Sequence, residues 1–272
     1  KRISRNIDFD LHTSNWSFTD YLPGKIPAIA AGSLHGKLTE TSAGWSFASL
    51  DGTLKTTIKD QGDVHLTATT SNQTLNLHAK GNLQGAVVQS DSSWKLTGKM
   101  PGSGSLRITQ LTPEILHRLT ATEDPLTEFP LQGKIEGTIA FQGNLQEPEL
   151  FTGRAVFPQV VLAPKRDGGQ TVADLTIRNE GDVVLIANQQ GILVERGLFR
   201  AKDTELEASG TLSFRRSNTW NLLIRGNVNL AAITTFRPDL IAAGSATLNT
   251  RIRGTFENPD VEGRMAFNNA SF

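Results

Sequence analysis

Gly254-Thr-Phe-Glu-Asn-Pro-Asp-Val-Glu-Gly-Arg-Met-Ala-Phe267 is a second copy of Gly143-Asn-Leu-Gln-Glu-Pro-Glu-Leu-Phe-Thr-Gly-Arg-Ala-Val-Phe157. Gly143 and Gly254 are 254 − 143 = 111 apart, and the same offset pairs Leu145 with Phe256, Pro148 with Pro259, and Leu150 with Val261. One extra residue in the earlier copy then aligns Gly153, Arg154 and Phe157 with Gly263, Arg264 and Phe267. Before the first copy Ile135, Gly137, Ile139 and Phe141 alternate with Lys134, Glu136, Thr138 and Gln142. Before the second, Leu248, Thr250 and Ile252 alternate with Asn249, Arg251 and Arg253, and Phe256 continues the apolar set. A period of two is that of a strand with one wet face, so the repeated unit is strand, Gly/Pro turn, strand.

The first hundred residues follow the same rule. Ile7, Phe9 and Leu11 alternate with polar neighbours, as do Leu54 and Ile58; Val64, Leu66 and Ala68; Leu75, Leu77 and Ala79; and Trp94 and Leu96. Asp51-Gly52, Asp60-Gln61-Gly62, Ser71-Asn72, Lys80-Gly81-Asn82 and Pro101-Gly102-Ser103-Gly104 read as turns, spaced closely enough for hairpins and an antiparallel meander. Between the copies the alternation passes through Leu175, Ile177, Val183, Leu185, Leu206, Leu212 and Phe214. It is clearest in Trp220, Leu222, Ile224, Gly226 and Val228 against Asn221, Arg225, Asn227 and Asn229, with Leu223 the exception on the polar side. Thr112-Pro113-Glu114 followed by Ile115, Leu116 and Leu119 predicts a short helix over about 113–120. Leu230–Phe236 is its predicted counterpart before the second copy. About 18 strands and two short helices are expected in all.

The unit Gly-x-x-x-x-Pro-acid-apolar, a second Gly and an outgoing strand resembles the recurring pattern of the TamB and AsmA-like proteins of the double-membraned bacterial envelope. The likeness is strongest over residues 131–163 and 230–272, and weaker over 32–58, where Gly-Ser-Leu-His-Gly-Lys-Leu keeps the glycines without the Pro turn. The resemblance implies one long antiparallel meander folded into an elongated U-shaped trough (a β-taco), apolar inside and polar outside. Periodicity does not separate this from a β-sandwich, with a second sheet over the first, which is the alternative; the shared polarity of the strands, without the Cys/Trp/Cys spacing of immunoglobulin domains, favours continuity. Residues 1–272 are expected to form one continuous β-trough fragment of a longer chain, with repeat-like units near 1–110, 111–229 and 230–272, the last incomplete.

Composition narrows the chemistry. Lys plus Arg number 27 and Asp plus Glu 27, which removes the net positive charge of a dedicated nucleic-acid surface. Cysteine is absent, excluding disulfides, thiol catalysis and Cys-ligated zinc. No apolar run approaches the roughly 18 residues of a spanning helix. Since the sequence opens on Lys1, a membrane anchor or signal is expected outside it. His-Glu-x-x-His, phosphate-loop, Gly-x-Ser-x-Gly and EF-hand patterns are missing. His65 and His78 occupy polar strand positions, and His12, His35 and His117 have no second ligand at metal spacing. Glu205 and Glu207 share a polar face, where a solvated pair is the simpler reading than a glycosidase pair. Neither catalytic residues nor a metal nor a cofactor is predicted.

The function the resemblance implies is non-enzymatic: a section of a periplasmic bridge-like protein whose groove carries phospholipid acyl chains between inner and outer membranes, its parent chain anchored in the inner membrane. The candidate lining is Ile135, Ile139, Phe141, Leu175, Ile177, Leu185, Leu206, Leu212, Phe214, Trp220, Leu222, Ile224, Val228, Leu248, Ile252, Phe256 and Phe267. A family role as a scaffold for assembly or secretion of outer-membrane β-barrel proteins, with a barrel partner, is the alternative. A β-sandwich adhesin or carbohydrate-binding module is the third.

Overall fold

In a computed structural model of the chain, the residues described are 5–17, 28–42, 44–58, 62–115, 131–164, 175–213, 219–232, 242–255 and 258–271. They form sixteen strands in one antiparallel sheet. The first nine are β1 (Asn6–Ser17), β2 (Ala28–Thr41), β3 (Gly44–Ile58), β4 (Gly62–Ser71), β5 (Thr74–Leu83), β6 (Ala86–Lys95), β7 (Pro101–Leu111), β8 (Leu131–Asn144) and β9 (Glu147–Pro164). Then come β10 (Ile177–Asn179), β11 (Val183–Asn188), β12 (Gly191–Ala201), β13 (Thr204–Ser213), β14 (Thr219–Asn229), β15 (Ala243–Thr255) and β16 (Pro259–Ser271). Strand order follows chain order, except that β10 and β11 share one place between β9 and β12. This is the meander that hairpin-length connections dictate. Both sequence copies are hairpins, β8–β9 and β15–β16. Of the two expected helices, residues 113–115 are helical and Leu230–Ala232 is a 3-10 turn. Their predicted continuations lie outside the described residues.

Contacts divide the chain into two compact units that share strands β8 and β9. The first holds β1 to β7 with Thr138–Thr152; the second holds residues 131–137 and everything from Gly153 onward.

In the first unit, register places the apolar residues of successive strands in line. Leu75 faces Trp94, Leu66 faces both Leu54 and Ala79, Leu34 faces Leu11, and Val88 faces Ile108. Ala68, Leu75, Trp94, Leu96 and Met100 are buried together, with Phe47, Leu50, Phe141, Leu145 and Phe151 packed around them. The Trp94 and Phe151 rings stack with centroids 5.4 Å apart. These residues sit on β6 and β9, three strand spacings apart, which in a flat sheet is about 14 Å. The sheet of this unit therefore curls around its own apolar face. At the curled end Leu145 N–H donates to Met100 O, and Lys99 Nζ meets Glu147 Oε1 at 2.5 Å, joining the β6–β7 connection to the β8–β9 turn.

Glycine makes this curl possible. A Cβ at Gly36 would enter the Phe9 ring and one at Gly102 the Trp94 ring; in the second unit a Cβ at Gly137 would likewise enter the Phe157 ring. The aromatic residues thus lie flat across the gap that glycine leaves on the neighbouring strand. This corrects three predicted turns. Gly52 lies inside β3, Gly81 inside β5, and Gly102 and Gly104 inside β7, while chain reversals occur at Asn72–Gln73, Gln84–Gly85 and over residues 96–100. In sequence, a glycine under a neighbour's side chain has the same signature as one in a turn. Of the expected turn at Asp60-Gln61-Gly62, residues 60 and 61 lie outside the described residues, and Gly62 opens β4.

In the second unit, β11 pairs with β9 and with one half of β12, and β10 with the other half. Between them β9 carries Pro158, which has no N–H to give. Asn179 fills the break. Its Oδ1 accepts from Val160 N at 2.7 Å, and its Nδ2 lies 3.2, 3.1 and 2.6 Å from the carbonyl oxygens of Phe157, Pro158 and Gly181. One side chain thus stands in for several backbone ladder bonds.

Two outcomes follow. Asn179→Ala should lower unfolding free energy by about 1–3 kcal/mol, at roughly 1 kcal/mol per net hydrogen bond lost, read from urea denaturation. Asn179→Asp should not restore it, because it turns a carboxylate toward carbonyls. The Glu147 carboxyl is held below its ordinary range, first by the hydrogen bond from Lys99 and then by that from Asn144. A depressed carboxyl contributes stability that is present above its unfolded value of about 4.3 and lost as pH falls through the lower folded value. Glu147→Gln should therefore melt below the parent at pH 6, and the difference should shrink as pH falls below the unfolded value of about 4.3.

Candidate functional site

The two faces of each unit differ chemically, with Leu193, Ile186 and Leu223 the apolar exceptions on the polar face of the second. In the second unit Trp220 lies between Leu212 and Gly254, Leu222 between Gly210 and Ile252, Ile224 between Ala208 and Thr250, Gly226 between Leu206 and Leu248, and Val228 beside Ala246. Ala246, Leu248 and Ile252 then face Phe267, Met265 and Val261 of β16. Ile192 and Val194 of β12 continue the face to Leu212 and Gly210, and Ala187 and Leu185 of β11 carry it on. No Asp, Glu, Lys or Arg occupies any of these register positions. The first unit repeats the arrangement, from Ile7, Phe9 and Leu11 on β1 to Leu106 and Ile108 on β7.

The charged residues take the alternate positions. Asp10 Oδ1 accepts from His35 Nδ1 at 2.8 Å, and Asp91 Oδ1 likewise from His78 Nδ1 at 2.6 Å. Lys55 bridges Asp63, Arg200 bridges Glu205, and Arg253 bridges Glu262. Asp63 is held below the ordinary carboxyl range, first by its hydrogen bond from Lys55 and then by that from Thr57. Glu205 is thus engaged by an arginine, and Glu207 stands opposite Arg225, the ordinary furniture of a solvated sheet face. Both His–Asp pairs join neighbouring strands, β1 to β2 and β5 to β6, a pairing invisible until register is known. Among the described residues no three His, Cys, Asp or Glu side chains are placed to hold a metal ion.

Of the predicted lining, Leu206, Leu212, Trp220, Leu222, Ile224, Val228, Leu248, Ile252 and Phe267 share one face of the second unit, and Leu185 joins them through Val194. Ile177 is on the short strand β10, opposite Leu162. Leu175 is buried but precedes that strand. Ile135 lies in the portion of β8 belonging to the second unit, in step with Gly137. Phe141 belongs to the first unit, in the stack with Trp94 and Phe151, and Ile139 precedes it at the same parity. Phe214 and Phe256 lie outside the described residues. Missed by the sequence reading were Val261 and Met265, which the β15 register brings into line with Ile252 and Leu248, and the entire face of β1 to β7, whose alternation was evident but three of whose predicted turns fall inside strands, the Ser71-Asn72 turn being where it was expected.

Exposure distinguishes a lining from a core. Leu206, Leu212, Leu222, Ile224, Val228, Leu248 and Ile252 are all of intermediate exposure, and Val261, Met265 and Phe267 are 61, 54 and 52 % exposed. Leu230, Ala242 and Ala246 are buried together at one end of this face, and Ala155, opposite Leu185, and Gly197, opposite Ala208, are buried too. The residues of a sandwich core would be enclosed by a facing sheet. Here every described strand belongs to the same sheet. No family model, no curated protein and no solved structure matches the chain.

Proposed function

We propose that the chain is a section of a bridge-like envelope protein, of the TamB and AsmA-like kind its repeat resembles, whose apolar sheet face carries the acyl chains of phospholipids through the periplasm between inner and outer membranes. The observation that carries this reading is the unbroken, charge-free and incompletely covered apolar face, bordered by charged residues only at the alternate positions. Transferring an acyl chain into water costs about 0.8 kcal/mol per methylene, so a chain of sixteen carbons meets a barrier of roughly 12 kcal/mol. Sliding along a continuous apolar face avoids most of that cost, because each methylene leaving one side chain meets the next. A lining without charge holds no head group in place, so the reading requires tolerance of head groups rather than selection among them. Head groups stay in water at the open side.

The strand Thr219–Asn229 provides the test. Leu222→Arg and Ile224→Arg each place a guanidinium on the apolar face, where intermediate exposure lets its long stem reach water. Both variants should remain folded, with unfolding free energy lowered by no more than about 2 kcal/mol, against the loss of folding expected for an unpaired charge in a closed core. Both should lose uptake of a fluorescent fatty-acid probe at least tenfold. Asn221→Arg on the polar face should change neither. Native mass spectrometry of the parent purified from bacteria should show bound phospholipid of mixed head groups. Folded Leu222→Arg and Ile224→Arg proteins that bind probe like the parent would remove this strand from the path, and a parent that takes up no probe would defeat the reading.

A further inference from the structure

His65 on β4 is set differently from two other histidines of the polar face. His35 and His78 each stand beside an aspartate that accepts their hydrogen bond, whereas register puts His65 between two lysines, Lys55 on β3 and Lys80 on β5. Two ammonium groups flanking an imidazole gain nothing from it, and repel it once it is protonated. Lys55 is relieved by Asp63, which accepts from its Nζ at 2.8 Å and also from Thr57. Lys80 has no such relief, and neither its side chain nor that of His65 forms a hydrogen bond or ion pair among the described residues. His65 and Lys80 line a hollow of about 530 Å³ on the polar face, with Asp63, Asn82 and Val87 as its other side chains and Gly62 and Gly81 completing the lining. Asn82 is oriented by the β5–β6 turn: its Oδ1 accepts from Gly85 N at 2.9 Å, which leaves the Nδ2 amide as a donor.

We propose that this hollow binds a phosphate monoester, its oxygens taken by His65, Lys80 and Asn82 Nδ2 and its organic part lying toward Val87. The balance of donors and acceptors points to an anion. Three donors converge there, while the one carboxylate of the lining, Asp63, is already taken up by Lys55 and Thr57. Asp91, the next carboxylate on β6, is held by His78. Three donors from two adjacent strands match the three terminal oxygens of a phosphate better than the two of a carboxylate, and its double negative charge offsets the lysine that lacks a partner. Val87, directly opposite Asn82, gives the hollow one apolar wall, which a bare phosphate would not use. The same chemistry occurs in soluble organic phosphates and in the head group of phosphatidic acid, and the probes below separate the two sources. The hollow lies on the face opposite the apolar row, so it stands or falls independently of acyl-chain carriage.

Titration calorimetry of the 272-residue chain with glycerol phosphate should show one saturable site, tighter than that for inorganic phosphate, which has no organic part to lay on Val87. Lys80→Ala should weaken binding at least tenfold, because a charge-assisted bond is lost. Asn82→Asp keeps the acceptor for Gly85 N but replaces the Nδ2 donor with a carboxylate oxygen, and should abolish binding with the turn intact. Lys95→Ala removes another exposed lysine of β6, outside the hollow, and should change nothing. Circular dichroism confirms that each variant is folded. Flotation with phosphatidylcholine vesicles, with and without phosphatidic acid, names the source. Recruitment that needs phosphatidic acid and is lost in Lys80→Ala assigns the site to a lipid head group; binding of glycerol phosphate without recruitment assigns it to a soluble ester. A chain that binds neither glycerol phosphate nor the phosphatidic acid vesicles overturns the proposal. So does tighter binding of inorganic phosphate, an affinity unchanged by Lys80→Ala or Asn82→Asp, or an equal loss in Lys95→Ala.

Discussion

The contact between an aromatic ring and a bare glycine on the next strand is what the rest of this sheet depends on. A one-layered sheet with an apolar side has nothing to bury that side against except itself, and it can do so only by curling. Curling crowds the concave side chains. Phe9 over Gly36, Trp94 over Gly102 and Phe157 over Gly137 relieve that crowding, because the large side chain of one strand occupies the space the glycine leaves on its neighbour. Trp94 illustrates the result. It is 2 % exposed, stacks on Phe141 and Phe151, and keeps its indole N–H bonded to Ser92 Oγ at 2.9 Å, so a polar group is enclosed without being stranded.

The same constraint sorts the polar chemistry. Alternation commits every charge of a strand to the convex, wetted side, where cross-strand pairs such as His35 with Asp10 and Lys55 with Asp63 add small, salt-sensitive increments. Specificity of register comes less from those pairs than from the opposite face, since a slip of one residue would turn a whole apolar row into water. The open face of the second unit and the enclosed cluster of the first are therefore two outcomes of one pattern, differing in how far the sheet has closed over it.

Much of this was legible in the residues. The period of two located the strands and the face of Trp220, Leu222, Ile224 and Val228 correctly, because alternation is a local property that tertiary packing has no reason to override. The duplicated Gly/Pro segment marked two true hairpins. Glycine misled elsewhere: Gly81 and Gly102 lie under a neighbour's side chain and Gly52 against the backbone of β2, rather than in turns, and the neighbour is known only once the strands are paired. For the same reason the sequence named Phe267 but not Val261 or Met265, and did not foresee that Asn179 would bridge a gap in the ladder. Those facts depend on which strands meet, and a single sequence does not state that.

Strand order that follows chain order has an evolutionary consequence. Each strand's hydrogen bonds reach only its immediate neighbours, so the energetics approach those of a linear array in which a change is felt locally. Duplication of a hairpin would lengthen such a sheet while preserving chain direction, the side on which the apolar row falls, and every existing pairing except the one it interrupts. A single added strand would preserve none of the downstream directions. The sheet is thus a structure whose length can be selected in steps of two strands, at little cost to what is already built, and the 111-residue echo between Gly143 and Gly254 has the form such a history would leave.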